Sequence, residues 1–183
     1  MKTAEFVYLY LIYPLYTYWF ASHASLLNEN LSYVGNLEGM HIHFIIWAFS
    51  CVVALSLGFS KCIRFCIHKK LILSGIAFSA MMFLSSVLLP YLPESYPVIA
   101  QFHITLSFAG LILLLIMIAI LVLELRWIYL IFPYDQILIL IYGIALGIFG
   151  SHYMSVNSLV EVFLGIALPI YLISLGRKIT KNE

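Results

Sequence analysis

From Ile104 to Leu123 the chain runs twenty residues without a charged side chain. As a helix rising 1.5 Å per residue, that run spans about 30 Å, the thickness of a bilayer's hydrocarbon core. Five more stretches share this character, giving predicted membrane helices at about 5–22, 40–60, 71–90, 101–123, 134–153 and 158–176. The expected fold is all-α: a polytopic transmembrane bundle of about six helices, forming one integral membrane domain over residues 1–183. Composition agrees with a lipid solvent. Hydrophobic residues make up 64% of the chain and charged residues 9%, against roughly 25% charged in soluble domains. A soluble fold would leave apolar surface in water at about 25 cal/mol per Å². The start, Phe6 to Phe20, is crowded with tyrosines, contains Pro14 and lacks a small-residue cleavage site, so it reads as a first membrane helix, not a signal peptide.

Basic residues orient such a bundle, because loops rich in lysine and arginine resist translocation. Lys2 precedes the first helix. Lys61, Arg64, Lys69 and Lys70 join the second and third, Arg126 joins the fourth and fifth, and Arg177, Lys178 and Lys181 follow the sixth. With six crossings all nine fall on one face, which predicts both termini cytoplasmic. Net charge is only +1, and no basic stripe exists for nucleic acid to bind. Cys62 and Cys66 lie in the basic loop without a second ligand pair, so they read as reduced thiols and not as a zinc site. Gly143 and Gly147 have the spacing that lets helices approach closely in lipid, and read as a packing surface.

Ionisable groups are costly at the bilayer centre, about 2.5–3.5 kcal/mol each on insertion scales, so their placement is informative. Here the predicted centre holds none. Five of the six histidines, His23, His41, His43, His103 and His152, fall at predicted outer helix ends, and only His68 lies inside. Glu38 precedes His41 by three residues and shares its helical face, whereas His41 and His43 point about 200° apart. His41 is therefore the expected inward partner of Glu38. Asn157 and Glu161 are four apart at the start of the last helix.

These residues define an expected outer pocket. Its candidate catalytic residues are His41, His103, Glu38 and Glu161, with His103 or His41 as general base or metal ligand and Glu38 or Glu161 orienting it. Its candidate metal ligands, for a divalent ion, are His41, His103, His152 and Glu161. A b-type haem would need two facing histidines, His41 or His43 with His103 or His152, and ranks below the metal. No His-Glu-x-x-His, Gly-x-Ser-x-Gly or phosphate loop occurs, and no serine stands beside a histidine in a recognised order.

Three features resemble the family of bacterial membrane proteins catalogued as domain of unknown function 998. They are the Ser32-x-x-Gly35 turn between the first two helices, the Leu89-Pro90 and Pro97 turn leading to His103, and the polar turn from Asn157 to Glu161 before the last helix. The resemblance implies a six-helix bundle in a bacterial plasma membrane and implies no reaction. By position it carries over only His103 and the Ser32-x-x-Gly35 turn; the family's basic residue near the last turn is missing here. The leading expectation is a protein that binds, and in an enzymatic version processes, a lipid or other amphiphile. The alternatives are a non-catalytic subunit that scaffolds or regulates another membrane protein or self-associates, and an outer-face pH or metal sensor.

Overall fold

A computed structural model describes residues 3–23, 25–129, 131–151 and 157–181, which form an all-helical bundle. The first segment is one continuous helical rod in three pieces: α1 (Thr3–Val7), a π turn (Tyr8–Ile12) and α2 (Tyr13–Ala21). Pro14 explains the interruption. Its ring crowds the carbonyl four residues back, and a wider turn relieves the clash; the Tyr13 N–H accordingly reaches Tyr8 O. A short helix α3 (Leu31–Gly35) follows, then α4 (His41–Cys62), α5 (Lys69–Val87), α6 (Pro97–Tyr129), α7 (Phe132–Ser151) and α8 (Ser158–Lys181).

Among the described residues, five helical spans are long and apolar enough to cross a membrane: His41–Phe65, Lys69–Val87, Pro97–Arg126, Phe132–Gly150 and Ser158–Lys181. They overlap the predicted second to sixth helices, with α6 extending a turn or more beyond its prediction at both ends and the first and last spans running more than a turn past their predicted C-terminal ends. The apolar surface is consistent with this solvent, since Ile139 is 70% exposed and Leu146 68%.

Glycines set the closest helix approaches, though not those expected. A Cβ on Gly58 of α4 would meet Leu172 of α8 at 2.8 Å, and one on Gly176 of α8 would collide with Lys61. On the α5–α6 hairpin, Gly75 faces Met117 and Gly110 faces the Ser79 backbone. Gly143 and Gly147 instead have nothing within 4 Å of an added Cβ. The expected packing surface on α7 is therefore not used inside this chain.

The bundle has two chemically distinct ends. At the basic end Lys61 pairs with Glu5 (3.1 Å), Arg126 with Asp135 (2.9 Å) and Arg64 with Thr180. Glu124 of α6 reaches into the loop before α5, accepting the Ile67 and His68 N–H groups and meeting His68 Nδ1 at 2.7 Å. That carboxylate caps the N-terminus of α5, where N–H groups lack helical partners. The rod α1–α2 lies antiparallel along α4. Glu5 touches Lys61 at the basic end, Tyr8 donates to Ser50 O, and Tyr16 reaches His43 at the other end.

Candidate functional site

The histidine end is assembled by helix termini that satisfy one another. The carbonyls of Leu26 and Glu29 accept the Leu159 and Ser158 N–H groups at the start of α8. In return Glu161, on the first turn of α8, accepts the Leu31 N–H at the start of α3 through Oε2 at 2.6 Å. Asn30 caps α3 through its side chain, and Asn157 does the same for α8. In a water-poor setting each unmet backbone group is expensive, so this exchange fixes α3 rigidly against α8. Ser32 is the next residue along.

His103 enters from α6. Its Nδ1 lies 2.7 Å from Ser86 O and 3.0 Å from Leu89 O, carbonyls at the end of α5, the first of which also accepts the Leu89 N–H. Carbonyls only accept, so the neutral ring carries its proton on Nδ1 and presents a bare lone pair at Nε2. Ser32 Oγ sits 2.8 Å from Nε2, and its hydroxyl therefore donates to it. Both side chains are buried, with Ser32 7% and His103 3% exposed. The rings of Tyr91 and His103 lie 5.4 Å apart.

Ser32, His103 and Glu161 line one cavity of about 380 Å³, with Asn30, Ser86 and Tyr91 also at that end. Farther along α4, α5, α6 and α8 the walls are mainly apolar, with Leu55, Ile76, Leu111, Leu114, Leu164 and Leu168 beside Ser56. Ser79 and Ser107, also on the wall, donate their hydroxyls to the Gly110 and His103 carbonyls, which removes much of their polarity. Along α6 the lining runs from His103 to Leu114, about 16 Å at 1.5 Å per residue. That depth is roughly half of a 30 Å hydrocarbon core.

Of the predicted pocket, the structure brings together His103 and Glu161. His41 and Glu38 are exposed and do not line the cavity. Glu38 precedes α4, whose first residue is His41, so the two do not share a helical face as expected. His43, expected to point away, is the half-buried one. Its Nδ1 meets the Tyr16 hydroxyl at 3.3 Å, and Trp19 packs edge-on against its ring. His23 turns back on the end of α2, its Nδ1 2.9 Å from Trp19 O. His152 lies outside the described residues. Among the described residues no group of three or more His, Cys, Asp or Glu side chains converges to hold a metal.

Sequence reasoning missed the Ser32–His103 pair. The two are 71 residues apart, and neither lies in a known nucleophile motif. Local signals existed only for each half: Asn30 and Tyr33 mark the cap of α3, and Pro90 and Pro97 bracket the turn that swings α6 back onto α5. Comparison with protein-family models, with curated proteins and with solved structures found no match.

Proposed function

We propose that this chain is a six-pass plasma-membrane protein, with both termini cytoplasmic, whose cavity binds a lipid or other amphiphile. The polar end of the ligand meets Ser32, His103 and Glu161, and its tail lies along the apolar walls between α4, α5, α6 and α8. The observation that carries this reading is the cavity's polarity gradient: a lining about 16 Å long, with hydrogen-bonding groups clustered at one end and mainly apolar residues along the rest. A volume of about 380 Å³ falls in the range of small-molecule pockets, which combine apolar walls with a few placed polar groups. Amphiphiles have that same division.

Filling the cavity tests this reading. Leu111→Trp places an indole in the apolar section. Lipid extracted from protein purified in mild detergent should show a bound species in wild type and at least a tenfold loss in the variant, with thermal unfolding little changed. Equal lipid content in both, at matched stability, would refute the binding reading.

A second reading, partnership with another membrane protein or with a second copy, is favoured by one observation. Gly143, Gly147 and Gly150 lie on an exposed face of α7 with open space beside them. Small residues at this spacing support close helix association in lipid. Gly147→Leu should leave the unfolding temperature of the isolated chain unchanged while weakening association detected by cross-linking in membranes. Unchanged cross-linking would remove this reading.

A further inference from the structure

We propose that Ser32 and His103 act as nucleophile and general base on a carboxylic ester carried by an amphiphile in the cavity, transferring its acyl group to water. The proposal rests on the cavity reading above and assigns its polar end a reaction. A serine hydroxyl is a weak nucleophile until a neighbouring base takes its proton. Here that base meets the geometric requirement, since Ser32 Oγ is 2.8 Å from Nε2, within the reach expected of a nucleophile and base. The ring's other nitrogen is held by Ser86 O and Leu89 O at 2.7 and 3.0 Å. Those carbonyls do what the carboxylate of a hydrolase triad does for tautomer and orientation, though without its full charge.

Two features argue that the pair serves chemistry as well as packing. A hydroxyl and an imidazole used only as a staple need no open space beside them, yet both border the cavity. The cavity's apolar reach also begins at this pair, so an ester whose acyl chain fills the walls has its carbonyl near Ser32. Glu161 is a positioning residue: it holds the Leu31 N–H, one residue from the nucleophile.

The steps balance. Ser32 Oγ bonds to the ester carbonyl carbon as its proton passes to His103 Nε2. The acyl C–O bond then breaks, and the departing alkoxide takes that proton and leaves as an alcohol. Water adds to the acyl-serine, giving its proton to Nε2. The ester bond to Ser32 breaks, Oγ recovers the proton, and a carboxylic acid is released. No oxidant or metal is required.

The test is a long-chain alkyl fluorophosphonate, which bonds to an activated serine with loss of fluoride. Wild-type protein in mild detergent should gain one adduct, located at Ser32 by peptide mass spectrometry. Ser32→Ala should abolish it, and His103→Gln should slow it by about 10² to 10⁴-fold, the range of general-base contributions. Ser32→Cys provides an independent check, because its alkylation should slow when His103 is also replaced. Absence of a Ser32 adduct in wild-type protein that still retains cavity lipid would overturn the chemistry and leave the binding reading intact. A Ser32→Cys alkylation rate indifferent to His103 would also overturn it. Absence of both adduct and lipid would overturn both.

Discussion

Cys66 shows how strongly position governs the chemistry of a side chain here. It follows the turn after α4, buried, with its thiol 3.8 Å from Cys62 O. Burial, and then the nearby Glu124 carboxylate, push that thiol up from the ordinary range to about 12. The thiolate is the reactive form, and at pH 8 a group titrating near 12 is about 0.01% ionised. Maleimide labelling of Cys66 in the folded protein should therefore be slow at pH 8, rise about tenfold per pH unit, and become fast on denaturation; peptide mapping over a pH series measures it. Rapid labelling at pH 7 would contradict the burial. The sequence supported the inert reading of Cys66, since nothing near it completes a ligand set. It also marked Ser32 and His103 as separate features, and could not join them. Spacing rules relate residues on one helix, whereas this contact depends on how α3, α5 and α6 pack. The same limit explains His41 and His43. Their angular separation was legible, but which of them faced inward was decided by Tyr16 and Trp19 on another element.

Helix existence was legible because a hydrocarbon solvent demands long uninterrupted apolar runs, and the five spans fall where those runs are. The short α3 was not, since five residues carry no periodicity to read. Irregularities inside the helices proved more informative than their ends. Pro169 lies within α8 and has no N–H to donate, so the carbonyl four residues earlier, at Gly165, loses its helical partner. Tyr13, from the rod that packs on α8, donates its hydroxyl to that carbonyl at 3.0 Å and is 1% exposed. Gly165 permits the approach, since a Cβ there would meet the Tyr13 hydroxyl at 3.1 Å. Tyr13→Phe should then cost about 1–3 kcal/mol by leaving a buried carbonyl unmet. In Pro169→Ala, where the backbone can supply its own donor, the same change should cost much less. A double-mutant cycle on thermal or denaturant unfolding reads this directly, and additive effects would show that the two sites are uncoupled.

At the scale of the molecule, the division between a basic end and a histidine end is the feature from which orientation follows. Lys61, Arg64 and Arg126 all sit at one end, two of them paired with carboxylates there. At the other end Glu29 and Glu161 act on backbone N–H groups instead. Because basic loops resist translocation, the proposed orientation puts the histidine end, and with it the cavity's polar groups, at the outer leaflet. The number of crossings then turns on the rod from Thr3 to Ala21. Its contacts with α4 run from Lys61 to His43, nearly the full length of a membrane-spanning helix, which supports the proposed sixth crossing. Six crossings place both ends of the chain on one side; five would separate them. A fluorescent reporter that matures only in the cytoplasm should therefore light up when fused at either terminus. A phosphatase active only outside the cytoplasm should work when fused after Glu94, in the turn between α5 and α6, and remain silent at both termini. A dark N-terminal fusion beside a bright C-terminal one would mean that the rod does not cross, and the aromatic packing of Tyr16 and Trp19 against His43 would then have to form at the membrane surface.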